Sequence, residues 1–210
     1  EYLKQLCNYW VDEYDWRKYE IVLNNFSNFK TKVDDIDIHF IKEIGSGKNP
    51  KTLLLMHGWP GSVFEFINVI DQLAHPEKYG GLKEDGLTVV APSLPGFGFS
   101  SAPKSPYGPR KIAKILNQLM IKNLDCKSYI SQGGDWGATI ANWLGYDHSN
   151  YCKAIHINCL TMRHPGGAQT DEEKKWLVKF DQDQIIQDGY RTQQATKPQT
   201  LSYAMMDSPV

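Results

Sequence analysis

The chain has 210 residues, enough for one large domain or a domain with part of another. Its 41% hydrophobic and 22% charged content is ordinary for a soluble globular protein, and a net charge of −1 without a Lys/Arg run argues against nucleic acid as a partner. No apolar run reaches membrane-spanning length, no signal peptide is visible, and four scattered cysteines without a CxxC indicate a reducing compartment, with buried thiols rather than disulfides or zinc.

Residues 1–25 read as two short helices rich in aromatics, with Leu3, Leu6 and Trp10 at helical spacing, and Tyr19, Val22 and Leu23 likewise. Trp16 and Tyr19 are expected to be packing anchors. The chain opens on Glu1 rather than Met, as expected if an upstream segment has been removed, and Val210 follows Asp-Ser-Pro without an obvious stopping point. Residues 29–33 and 37–44 flank Asp34-Asp35 and predict a β-hairpin, with Ile36, Ile38 and Phe40 alternating against Asp37, His39 and Ile41. Residues 52–56 form a continuous apolar run, the mark of a strand buried on both faces. Ser62 then caps a predicted helix through Phe64, Ile67, Ile70 and Leu73. A second buried strand, 87–91, ends in the Pro/Gly-dense turn 92–100, and 109–124 read as a helix. A strand at 128–132, a helix at 138–146 and a short strand at 154–157 follow. Strands alternating with helices from 52 to 157 indicate a parallel sheet wrapped on both faces. From Pro165 the texture becomes polar and helical, with a break at Lys197-Pro198.

Two motifs carry the chemistry. Gly133-Gly134-Asp135-Trp136-Gly137 lies between a strand and a helix, the setting of a nucleophile elbow, with Asp135 at the strained tip. A carboxylate is ionised at neutral pH without a base and attacks carbon to give an ester that water must cleave. The competing reading makes Asp135 a simple helix N-cap. His57-Gly58-Trp59-Pro60 ends another buried strand on the same sheet edge, where ligands of open parallel sheets bind. Such a loop supplies one backbone N–H to an oxyanion hole, and the residue after the nucleophile supplies the other. Those donors are expected to be the Trp59 and Trp136 amides, with His57, Gly58 and Pro60 supporting the loop and Pro60 a candidate for a cis bond. The rings of Trp59, Phe97, Phe99 and Trp136 suggest an apolar pocket, with Phe97 and Phe99 as candidate lining residues.

The sequence resembles the epoxide hydrolases of the α/β-hydrolase fold, the microsomal and juvenile-hormone type in particular. The resemblance runs along essentially the whole chain: Tyr14-Asp15-Trp16-Arg17, Asp37-Ile38-His39-Phe40, the HGWPGS stretch 57–62, 92–100, 132–137, Thr196 to Thr200, and Asp207-Ser208-Pro209. It implies an α/β fold cut short, with a helical extension at 1–28, an incomplete α/β-hydrolase core at 29–164 and the start of a helical cap at 165–210. It implies attack by Asp135 on a small apolar epoxide, then hydrolysis by water to a vicinal diol, with no metal and no cofactor. In this family a His with an acidic partner activates the water, and cap tyrosines protonate the ring oxygen. The resemblance places all of these past Val210; none of His39, His57, His75, His148, His156 or His164 matches, nor do Tyr190 and Tyr203 align with the catalytic tyrosines. The chain by itself is therefore expected to be inactive in turnover. The alternatives are a haloalkane dehalogenase with the same Asp nucleophile, or a non-catalytic binding module of the same fold. A bacterial source would imply a cytoplasmic protein, a eukaryotic one an endoplasmic-reticulum protein whose N-terminal anchor was removed; the oligomeric state is open.

Overall fold

A computed structural model describes residues 1–159 and 165–207. Two compact units result, Trp16–Thr161 and Glu1–Asp15 with Met162–Val210.

The larger unit is built on one six-stranded sheet. β1 (Asn28–Val33) and β2 (Ile36–Glu43) form the predicted antiparallel hairpin, turning at Asp34 with φ of 53°. β3 (Thr52–Met56), β4 (Thr88–Pro92), β5 (Tyr129–Gly133) and β6 (Cys152–Ile157) run parallel, in the order β1-β2-β4-β3-β5-β6, with β2 antiparallel to β4. The sheet is therefore mixed, with the antiparallel hairpin at one edge.

Because side chains alternate along a strand, each central strand feeds two cores. Ile38, Phe40, Leu54, Met56 and Val90 pack with Ile115, Leu116, Ile140 and Leu144 from helices α4 (Pro109–Gln118) and α5 (Trp136–Asp147). On the opposite face Ile41, Leu55, Val89 and Ala91 meet Val63, Ile70 and the half-buried Leu23 and Phe26. Leu23 belongs to α2 (Trp16–Asn24), which follows α1 (Tyr2–Asp12) as predicted. A fully buried Leu or Ile in either core contributes about 1.5–3 kcal/mol. This two-sided cover overrides the one-sided alternation expected of β2, where residues 38–41 are all buried, His39 included. The His39 ring closes a buried polar network: its nitrogens lie 2.9 Å from Ser93 Oγ and 2.9 Å from Asn28 Oδ1, and its backbone N–H donates to Ser100 Oγ.

Four local expectations change. The helix predicted from Ser62 through Leu73 is divided into a 3-10 turn, Val63–Phe66, and a short α3, Ile70–Ala74. Val63, Phe64, Phe66, Ile67 and Val69 are β-branched or aromatic and lose side-chain freedom in an α-helix, while Val63 and Ile70 are both buried in the core. Helix α4 continues as a π-turn over Leu119–Asn123, which keeps Leu119 and Met120 buried. Of the four thiols expected to be buried, Cys152 is buried, Cys126 is half-buried, and Cys7 and Cys159 are exposed; all are free. Trp16 and Tyr19, expected to be packing anchors, are instead 50% and 45% exposed: the Arg17 guanidinium lies 3.8 Å above the Trp16 ring, and Tyr19 sets its edge on Phe64.

The second unit holds α1 with α6 (Asp171–Gln187), α7 (Gly189–Thr196) and α8 (Gln199–Asp207). Thr170 and Glu173 close a capping box at the start of α6, and Lys197-Pro198 separates α7 from α8 as predicted. No helix among the described residues is long and apolar enough to cross a membrane.

Candidate active site

β3 and β5 are hydrogen-bonded neighbours with Met56 opposite Gly133. The chain therefore leaves both strands side by side, and the loop from His57 faces the turn at Asp135. Asp135 has φ of 48° and ψ of −121°, a strained conformation for a residue with a side chain. The turn closes only because its neighbours are small. A Cβ on Gly133 would run into the Gly137 carbonyl, and one on Gly58 would lie 2.5 Å from the Asp135 Cβ.

Asp135 stands at the N-cap position of α5, but its side chain makes no cap hydrogen bond there. Its Oδ1 instead accepts from the Trp59 backbone N–H at 2.8 Å, the length of a charge-assisted hydrogen bond. The Trp136 N–H lies in the first turn of α5, where donors have no intrahelical partner. It is not bonded to the Asp135 carboxylate.

His57 holds the loop from beneath. Its Nε2 accepts from the Leu94 N–H at 3.1 Å and its Nδ1 lies 2.9 Å from Gly58 O, so the ring carries its proton on Nδ1. Burial pushes its pKa below the ordinary histidine value, against the raising effect of Gly58 O. With both nitrogens engaged, His57 supports the loop and is no base for water. The Trp59–Pro60 bond is cis.

Gly58, Trp59, Pro60, Gly61, Glu65, Gly134, Asp135, Asn158 and Cys159 line an open groove of about 460 Å³. Beside it an apolar cavity of about 250 Å³ is walled by Leu94, Phe97, Tyr107, Ile112 and Trp136 among others. Phe97 thus reaches a cavity that Trp136 shares. Phe99 lines neither; its ring sets an edge on His39 at 5.0 Å. Among the described residues no histidine lines the groove, and His164 lies outside them.

Glu65, Asn158 and Cys159 were missed as groove residues. Asn158 and Cys159 follow β6, a parallel strand that ends on the same sheet edge, and that topology was the available signal. Ser62-x-x-Glu65 is a capping-box pattern, which folds a Glu back toward the residue before its helix. Burial first, and then the charge of Asp135, raise the Glu65 pKa above the ordinary glutamate value, opposed by a hydrogen bond from the Ser62 N–H.

Residues 51–204 match the family described as alpha/beta hydrolase fold, and residues 1–66 match the family described as epoxide hydrolase N terminus. Epoxide hydrolase 1 of Oryctolagus cuniculus is 36% identical over 232 residues, covering all of this chain and 51% of the relative. Among solved structures, the Aspergillus niger epoxide hydrolase superposes with a TM-score of 0.84 at 30% identity, over 99% of this chain and 55% of the other. The juvenile hormone epoxide hydrolase of Bombyx mori gives 0.86 at 31%, over 99% and 53%. The chain spans about half the length of the curated relatives it matches. With its elbow, its HGWP loop and the match over residues 51–204, the chain belongs to the α/β-hydrolase fold family.

Proposed function

We propose that the protein carrying this chain opens an apolar epoxide to a vicinal diol through an ester on Asp135. The observation that carries this reading is the strained Asp135, its carboxylate open to the groove and held at one oxygen by the Trp59 N–H. In the first step the free carboxylate oxygen bonds to an epoxide carbon as the ring C–O bond breaks, and the ring oxygen takes up a proton. In the second, water attacks the ester carbonyl carbon, and negative charge develops on the carbonyl oxygen. If that oxygen is Oδ1, the Trp59 N–H already points at it, and the Trp136 N–H is the second donor; one such donor contributes about 10²–10³ in rate. The described groove residues include no histidine and no tyrosine.

The apolar cavity behind Trp136 supports a hydrophobic substituent on the substrate, and Phe97 is assigned to that wall. Residues 1–28, 29–164 and 165–210 are assigned as helical extension, hydrolase core and beginning of a cap. The test is a single turnover in ¹⁸O-labelled water with styrene oxide. Ester hydrolysis at the carbonyl places the label in the Asp135 carboxylate before it reaches diol. Label appearing in diol alone on the first turnover would mean direct attack by water, and the ester route would be abandoned.

A further inference from the structure

Glu65 brings into the groove a second carboxyl that this chemistry does not use. The 3-10 turn that carries it is locked at its start: Ser62 Oγ accepts from the Phe64 N–H at 3.2 Å and Ser62 O accepts from the Glu65 N–H at 3.1 Å. The Glu65 carboxylate folds back onto the Ser62 N–H and takes the space that a Cβ on Gly61 would need. Gly61 is thus kept bare by Glu65, and the loop bearing the Trp59 amide is fastened at its far end. From this position Glu65 faces the same groove as Asp135; the only other titratable group among the described lining residues is Cys159, so no cation of the lining offsets the two carboxyls.

We propose that Glu65 is a positioning residue for Asp135: it fastens the 58–62 loop and places a second negative charge at the groove, whose repulsion is relieved when Asp135 becomes an ester. This rests on Asp135 being the alkylated nucleophile. In that step an Asp135 oxygen bonds to carbon, the ring C–O electron pair stays with the ring oxygen, and that oxygen takes a proton from water, leaving hydroxide. The charge leaves Asp135, and the ester is neutral. The proton affinity of Glu65 is raised first by burial and then by the like charge of Asp135.

The test uses the whole protein in two arms. In the first, ¹³C-labelled glutamate is titrated by NMR in the wild type and in Asp135→Asn, where the Glu65 midpoint is expected to move down; an unchanged midpoint overturns the proposal without any substrate being involved. In the second, esterification of Asp135 by styrene oxide is followed by quench and intact mass. Glu65→Gln keeps an acceptor for the Ser62 N–H and removes the charge. It is expected to react roughly two- to fivefold slower at low salt, the range of partly exposed charge pairs, with the gap narrowing at high salt and the melting temperature unchanged. Glu65→Ala, which loses the acceptor as well, is expected to be slower still and to melt lower. A Glu65→Gln rate equal to wild type overturns the proposal. A wild type that forms no ester overturns the nucleophile reading itself, a different failure from an unmoved titration.

Discussion

Gly58→Ala is the smallest change that should separate the nucleophile from its hydrogen-bond donor. An added Cβ would stand 2.5 Å from the Asp135 Cβ and 2.8 Å from its Cγ, whereas ordinary carbon contacts lie at about 3.5–4.0 Å. Roughly 1 Å of movement is therefore required. The Asp135 side chain cannot supply it by rotation, because its Cβ is fixed by the strained turn and is itself one of the clashing atoms. The loop from His57 must give way, and with it the Trp59 N–H now 2.8 Å from Oδ1. A misplacement of about 1 Å in a reacting pair costs about 10²-fold in rate, and overpacking costs about 1–3 kcal/mol of stability. Esterification of Asp135 by styrene oxide, followed by quench and mass spectrometry, should fall by about that factor, and the melting temperature should drop. Gly189→Ala is the control: no atom lies within 4 Å of the added methyl, and the position is helical. It should leave the rate unchanged and stabilise by up to about 1 kcal/mol. A Gly58→Ala protein within threefold of the wild-type rate and with an unchanged melting temperature would refute the close approach of loop and elbow.

Asp135→Asn should form no ester with an epoxide, since an amide is not a competent nucleophile; diol formation without deamidation, checked by mass spectrometry, would remove Asp135 from its role. Acid should weaken the fold near neutrality. His39 and His57 are both held below the ordinary histidine pKa, chiefly by burial. The unfolded chain therefore takes up these protons first, so their contribution is present in full above about pH 6.5 and is lost as pH falls, by at most about 1.4 kcal/mol per pH unit for each group. Urea midpoints measured from pH 7.5 to 5 should decline, and a flat profile would count against neutral buried rings. Tyr129→Phe removes the 2.8 Å bond from its hydroxyl to the buried Asn117 Oδ1 and should cost about 1–3 kcal/mol by leaving that oxygen unpaired; a loss under 0.5 kcal/mol in denaturant titration would contradict the closed pair.

The sequence alone determined the order of strands and helices and the two chemical motifs, because both are written locally. The apolar runs 52–56 and 87–91 have no helical alternative at that length, and they became β3 and β4 within one residue. Gly133-Gly134-Asp135-Trp136-Gly137 named its own turn, since only glycine tolerates the approach of strand to helix there. Tertiary structure decided the rest. His39 reads as a one-sided strand residue until cover on both faces of the sheet buries it between Ser93 and Asn28. The helix after Ser62 has the right period but is divided, and the β-branched and aromatic residues Val63, Phe64, Phe66, Ile67 and Val69 that crowd this stretch disfavour a continuous α-helix. Phe97 and Phe99 are two residues apart in an aromatic run, yet one walls the cavity beside Trp136 and the other covers His39. Glu65, Asn158 and Cys159 come from two separate stretches of chain, and nothing in either stretch says that the other lies across a groove. Spacing along a chain encodes which residues share an element; which elements share an edge is set by the pairing of β3 with β5 and β5 with β6, and that pairing is non-local.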